Sequence, residues 1–214
     1  MEKKLTAAVK GAIENAPARK FVEAVDISFT IQDVDLKNPN NRIQEEIRLP
    51  NGRGKVIKIA MFAAADAARK AKAAGIHVID PSEIEELGKN KGTAKKLANS
   101  FDFFLSEVPH MGLIGRYLGV VLGPRGKMPR PVPPVIDPAV IAAGLQNTTI
   151  VKSRDRITFQ ASFGTMAQSE EELIKNCLEV YTRVVSKLER GIGNIRSIYI
   201  KTTMGPAQRI EVIN

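Results

Sequence analysis

Thr202 and Thr203, standing among Arg196, Lys201 and Arg209, are the side chains of this sequence best suited to meet a phosphate chain. Their hydroxyls can donate or accept, the three cations surround them, and no acid falls between Arg190 and Glu211. From Arg196 to Thr203 the chain has the alternation and the Ile, Tyr and Thr content of a β-strand, and Met204-Gly205-Pro206 turns it sharply at the end. A strand that ends in such a turn is expected to offer backbone N–H groups and short hydroxyls at its rim, a seat for a sugar-phosphate backbone. The same residues fit a strand that only completes a sheet.

Charge strengthens the first reading. The 214 residues carry 32 Lys and Arg against 23 Asp and Glu, and a net charge of +9 favours a polyanionic partner. Between Glu107 and Asp137 there is no acid, yet Arg116, Arg125, Lys127 and Arg130 all fall there; from Arg183 to Arg209 six basic residues face one acid, Glu189. Two such segments imply two contact surfaces, or one surface they share. Within the first, LGPRGKMPRPVPP (122–134) holds five prolines and is expected to be an exposed, stiffened loop displaying Arg125 and Lys127. Ordering a flexible loop on binding costs roughly 1 to 2 kcal/mol per residue, so stiffness raises affinity without new contacts. A connection that merely spans a sheet edge is the structural alternative.

Enzymatic chemistry is poorly supplied. Two histidines and one cysteine are too few, at any usable spacing, for a structural zinc site. His77 and His110 are expected to be structural, and Cys177, set among Leu173, Ile174, Leu178 and Val180 at helical spacing, to be a buried thiol. No nucleophile elbow or dinucleotide-binding glycine pattern occurs, and Gly126-Lys127 fails as a phosphate-binding loop because Met128 follows it and Val121 holds the required earlier glycine position. Asp66, Asp80 and Asp102, near predicted strand ends, are where an α/β enzyme would keep ligands, although caps and turns explain them as well. No run of 18 apolar residues is present, and the first residues alternate charge with alanine, so neither membrane insertion nor secretion is expected.

The elements that must position these groups fall into two textures. Leu5, Val9 and Ile13 mark an amphipathic helix ended by Pro17; Val25, Ile27, Phe29 and Ile31 alternate with polar residues as a half-buried strand; Ile43, Ile47 and Leu49 repeat that pattern, which predicts an antiparallel pair across the loop 35–41. After Pro50-Asn51-Gly52-Arg53-Gly54 the texture changes. Val56–Phe62, His77–Asp80 and Asp102–Leu105 read as strands alternating with helices, including Met111–Leu118 and Pro138–Leu145, as in a parallel sheet. Beyond Asn147 the first texture returns: two alternating strands turned at Arg154-Asp155, with Ile157, Phe159, Ala161 and Phe163 on one face. A capping box at Ser169–Glu172 then opens a long helix buried along Leu173, Cys177, Tyr181, Val184 and Leu188 and closed by Gly191. The predicted fold is a split α+β domain, an antiparallel sheet with helices, formed by 1–52 plus 148–214. Residues 53–147 form an inserted α/β three-layer Rossmann-like domain, and the two linkers near Gly52–Gly54 and Asn147–Thr149 act as a hinge.

LGPRGKMP (122–129), TTMGP (202–206) and KFVEAVDIS (20–28) together resemble the archaeal form of the universal large-subunit ribosomal protein L-one family, and the likeness spans essentially the whole chain. The resemblance implies a non-enzymatic, cytoplasmic, ribosome-bound protein without cofactor, monomeric when free. Its split domain would bind large-subunit rRNA and a mimic of that site in its own mRNA, repressing its own translation. Its stalk would assist release of deacylated tRNA from the exit site. The residues matching the family's RNA site are Lys20, Phe21, Glu23, Asp26, Thr203, Met204 and Gly205, joined on the strand by Lys201 and Thr202; Arg116, Arg125, Lys127 and Arg154 are expected as a second RNA surface. Ala24 stands where many members carry Ser or Thr, and Asp26 where many carry Glu. Acids suit such a site because a carboxylate accepts from a 2′-hydroxyl or a base amino group, which a purely cationic surface cannot do. Phe21 would pack under a ribose or base, or belong to the core. About six phosphate contacts would make affinity fall roughly a thousandfold between about 50 and 200 mM salt. The rival readings are an α/β nucleotide-using enzyme with its site near Asp66 and Asp80, and a protein-protein adaptor.

Overall fold

The computed structural model describes residues 1–38, 41–134 and 136–211; residues 39 and 40, within the loop expected between the first two strands, lie outside the described residues. Two compact units are present, Met1–Lys55 with Asn147–Asn214, and Val56–Gln146.

In the first unit the alternating residues of β1 (Ala24–Ile31) place it at the centre of a sheet, because Val25, Ile27, Phe29 and Ile31 are all buried on one side. β8 (Thr158–Thr165) pairs antiparallel with one edge of β1, β9 (Ile195–Thr202) with the other, and β10 (Gln208–Ile210) adds beyond β9. Phe29 stacks on Phe159 with ring centroids 5.5 Å apart. The helices α1 (Glu2–Glu14) and α7 (Glu170–Lys187) bring Leu5, Val9, Ala12, Leu173, Cys177, Val180 and Val184 into the same core. Each fully buried aliphatic or aromatic side chain there contributes about 1.5 to 3 kcal/mol. The capping box is formed: Glu172 N–H donates to Ser169 Oγ, and Ser169 N–H donates to Glu172 Oε2 at 2.9 Å.

Three local expectations are corrected here. β2 (Gln44–Arg48) does not pair with β1, whose two edges are already taken, but with β7 (Thr148–Lys152) in a separate two-stranded sheet. The turn at Arg154-Asp155 therefore leads from one sheet to another instead of closing a hairpin, and Ile157, which precedes β8, is exposed. On α7 the buried stripe runs through Val180, leaving Tyr181 half-buried, since a 3.6-residue period drifts off a strict i+4 row and the tyrosine keeps part of its ring at the surface.

The second unit has a wholly parallel sheet. Its order is β4 (His77–Ile79), β3 (Ile59–Phe62), β5 (Phe103–Glu107), β6 (Arg130–Val132), and both inner strands are nearly continuous in buried residues because they are covered on two faces. Among the described residues five α-helices accompany it: α2 (Ala65–Ala73), α3 (Glu83–Lys89), α4 (Lys91–Ser100), α5 (Met111–Arg125) and α6 (Pro138–Gln146). Phe62 and Phe104 stack in its core.

The proline-rich stretch is not one displayed loop. Leu122–Arg125 is the last turn of α5, with Pro124 inside the helix, and Gly126 closes it at φ +65°. Gly126 N–H donates to Gly123 O and Lys127 N–H to Leu122 O, the bonds of a Schellman cap, whose left-handed residue glycine adopts without strain. Lys127 then turns inward, its Nζ donating to the carbonyls of Ala98 (2.8 Å) and Phe101 (2.7 Å) at the end of α4. Such charge-assisted bonds are each worth about 1.5 to 3 kcal/mol, so Lys127→Met is expected to destabilise this unit by that order. Thermal melting is the check; an unchanged transition would mean that the ammonium caps nothing.

Candidate nucleic-acid interface

Antiparallel pairing of β1 with β9 brings two segments almost 180 positions apart in sequence to one edge of the sheet. Val25 lies opposite Thr202 and Asp26 opposite Lys201. Just beyond the ladder Thr203 N–H donates to Ala24 O (3.0 Å), and Ala24 N–H donates to Thr203 Oγ1 (3.1 Å). The segment Lys20–Glu23 and the turn Thr203–Gly205 are thereby held side by side. Phe21 is 54% exposed, Val22 62% and Met204 58%, so three large apolar side chains stand in water at this rim. Isolated exposed hydrophobics are ordinary; three within one hydrogen-bonded edge, beside exposed Arg19, Lys20 and Arg209, are not.

The expectation that the turn presents free amides is overturned. Thr203 N–H goes to Ala24 O, Met204 N–H to Glu23 Oε2 at 3.0 Å, and Gly205 N–H to Thr202 Oγ1 at 3.0 Å. All three donors are used within the protein. Glu23, expected as an acceptor facing the ligand, is 4% exposed, and Thr202 is 0% exposed. Thr203 Oγ1 is likewise engaged, accepting from Ala24 N–H and donating to Ala24 O. What remains outward is Phe21, Val22, Met204 and Thr203, the last with its hydroxyl engaged, together with the cations and the half-buried pair Asp26 and Lys201.

Electrostatically the rim is anchored by Glu23. The Met204 N–H, then the Thr202 hydroxyl, with lesser help from Arg19 and Lys201, hold its carboxyl below the usual carboxylate range. A depressed folded value means that this link stabilises fully above the ordinary carboxylate pKa and is lost as pH falls through the lower one. Gly205 sits so close that a Cβ there would lie 2.3 Å from Thr202 Oγ1, which explains glycine at this position without any appeal to its φ.

The residues expected to form a second surface fall in both units. Arg116 is exposed on α5 over the Tyr117 ring, Arg125 is half-buried with Nη1 on the carbonyl of Val121, and Lys127 is a helix cap. Arg154 belongs to the other unit, at φ +51° in the turn between β7 and β8. Val22 and Arg19 are the members of the rim that the sequence reasoning did not single out. The signal was available for Val22, an apolar residue outside the alternation of the strand it precedes.

The groups considered for catalysis have local partners. Asp66 pairs with Arg69, Asp80 accepts from the Ser82 N–H and hydroxyl, and Asp102 accepts from Lys58 N–H at 3.2 Å. His77 stacks on Phe101 and His110 lies 3.5 Å from Glu107. Burial pushes the Cys177 thiol up to about 12, which leaves it unreactive at neutral pH. Among the described residues no group of three or more His, Cys, Asp or Glu could hold a metal ion, and no helix is long and apolar enough to cross a membrane.

Fold and site together define a two-unit protein of mixed helices and sheets with a pre-formed, cation-flanked apolar rim. The sequence carries the identification further. The model of the Ribosomal protein L1p/L10e family matches residues 12–206. Similar proteins include large ribosomal subunit protein uL1 of Archaeoglobus fulgidus, 46% identical over 97% of both chains. Those of Picrophilus torridus (46%, 95% of both) and Methanothermobacter thermautotrophicus (44%, 98% of this chain and 100% of the relative) are alike as well. The chain belongs to this family, whose members are structural proteins and not enzymes.

Proposed function

We propose that this protein is a component of the large ribosomal subunit that binds the subunit's rRNA through the rim of its first unit. One observation carries the reading: Phe21, Val22 and Met204 stand exposed on a hydrogen-bonded edge ringed by Arg19, Lys20, Lys201 and Arg209. Apolar and aromatic side chains pack on ribose and base faces, and flanking cations neutralise phosphates, so the two together suit a ribose-phosphate chain better than either alone. Asp26, half-buried beside Lys201, adds an acceptor for a 2′-hydroxyl. We assign the RNA-binding part to a split α+β domain of 1–52 with 148–214, and 53–147 to an inserted Rossmann-like α/β domain.

The same rim would take the protein's own mRNA. One surface cannot hold both RNAs, so the two compete; with rRNA the tighter ligand, mRNA is bound by protein in excess of rRNA, which then represses its own synthesis. In the stalk of the subunit the protein would assist release of deacylated tRNA from the exit site, with exposed Arg116 of the second unit as a contact to that second RNA. The named relatives, large ribosomal subunit proteins of archaea, support a ribosomal and cytoplasmic setting.

Met204→Ala tests the rim. Its side chain is mostly in water, so the thermal midpoint is expected to move within about 1 °C, as for surface substitutions in general. Removing its packing against RNA should weaken binding of a large-subunit rRNA fragment about tenfold. A drop in stability as large as the drop in affinity would make the turn a structural feature only.

A further inference from the structure

Glu23 and Thr202 share a position that neither a surface contact nor a simple core residue explains. Both are polar, both are almost wholly buried, and both are spent on the same four-residue turn. Thr202 Oγ1 accepts from Gly205 N–H, and Glu23 Oε2 accepts from Met204 N–H, so the two side chains hold successive amides of the turn. The other oxygen, Oε1, is buried without a hydrogen bond and lies 4.0 Å from Arg19 Nε. A ribose hydroxyl cannot reach either oxygen while the turn keeps this shape. A buried carboxylate is costly unless its bonds do something that an apolar side chain would not, and here they fasten the turn from one end of the chain to the Arg19–Glu23 segment from the other.

We infer that Glu23 and Thr202 are positioning residues for the RNA site: they set the turn Thr203–Gly205 and the segment carrying Phe21 in their binding geometry before RNA arrives, and touch no RNA themselves. The inference rests on the rRNA-binding reading above and deepens it. With all three turn amides satisfied internally, RNA meets a rim that is already ordered, and affinity is not diminished by fixing the turn at the moment of binding. It also divides the residues of the matching segments by role. Phe21, Met204 and the cations make contact, whereas the buried carboxylate and hydroxyl hold them at the right spacing.

The test is Thr202→Val in the full chain, a substitution that keeps the shape and deletes the hydroxyl. Amide exchange at Met204 and Gly205 should quicken, and the dissociation constant for the rRNA fragment should rise roughly tenfold at a temperature where the variant is fully folded, the loss of about one buried hydrogen bond's worth of preorganisation. The salt slope of binding should stay that of the wild type, because no phosphate contact is removed. Thr202→Ser should restore both readouts. Glu23→Gln, which keeps an acceptor for Met204 N–H but removes the charge that strengthens that bond, should reproduce the loss if Thr202→Val does not fold. Faster exchange with unchanged affinity would overturn the inference while leaving the RNA-binding reading intact, and so would failure of Thr202→Ser to restore binding. Wild-type protein that binds the rRNA fragment no better than a scrambled RNA overturns both.

Discussion

Raising the salt from about 50 to about 200 mM is expected to weaken binding of a large-subunit rRNA fragment about a hundredfold, with a log-log slope near −3.6. Geometry sets this figure below the roughly thousandfold that six contacts would give. Lys20 belongs to the rim, Arg19 and Lys201 lie one and two residues from its two segments, and Arg209 pairs in register with Tyr199, about 10 Å along the strand from Thr202. Arg196, grouped with them by sequence, lies six residues before Thr202 on the same strand, about 20 Å away, and falls outside the rim. Four cations at about 0.9 per phosphate yield the stated slope, and a fourfold rise in salt then removes about two decades of affinity. A titration of the whole chain reads it directly. A slope near −5.4 would bring in further cations, such as Arg196 or Arg116, and a flat response would remove the electrostatic part of the interface altogether.

Much of the first unit could be read before its coordinates because its signals are local. Val25 to Ile31 alternate, so one face had to be buried; Ser169 and Glu172 stand three apart, so a helix had to begin there. Pairing partners were not legible for the same reason. The pattern in β2 says that Ile47 faces a core, but not that β1 has both edges filled by strands from far along the chain, which leaves β2 to β7. The site divides along the same line. The resemblance to the ribosomal family grouped Phe21, Thr203 and Met204 at one site, and the ladder between β1 and β9 holds their two segments side by side. What composition could not reveal is direction. Glu23 turns inward to Met204 N–H and Lys127 inward to the end of α4, although on the page both look like charges meant for solvent or ligand. A charge points inward when a backbone group with no other partner waits for it, and such groups are set by the tertiary fold.

Asn176 is the plainest case, and its replacement should be the most damaging single change in the first unit. Within α7 it looks like an ordinary polar residue between Lys175 and Cys177, yet it is 0% exposed. Its Nδ2 donates to Gly52 O (2.8 Å) and Phe163 O (2.9 Å), and its Oδ1 accepts from Asn51 N–H (3.1 Å). One side chain thus ties the end of β8 and the turn after Leu49, where Gly52 adopts φ +66°, to the long helix. Asn176→Leu keeps the volume, leaves Phe163 O and Asn51 N–H without their partner, and leaves Gly52 O only the longer bond from Gln168 Nε2 at 3.3 Å. At about 1 to 3 kcal/mol for each unsatisfied group, the expected loss is about 3 to 5 kcal/mol, a large fraction of the stability of a natural domain. For a chain of this size the melting transition should fall by about 10 °C. In Asn176→Asp the new carboxyl keeps an acceptor for Asn51 N–H but faces two carbonyls, which raises its folded pKa above the unfolded value. That variant should therefore lose stability as pH rises through about 4 and upward. The rim is built from other residues, so at a temperature where Asn176→Leu remains folded its rRNA affinity should equal that of the wild type. Calorimetry and binding on the same sample separate the two effects, and a melting transition lowered by less than about 2 °C would mean that water or a shift of the Asn51–Gly52 turn satisfies those groups instead.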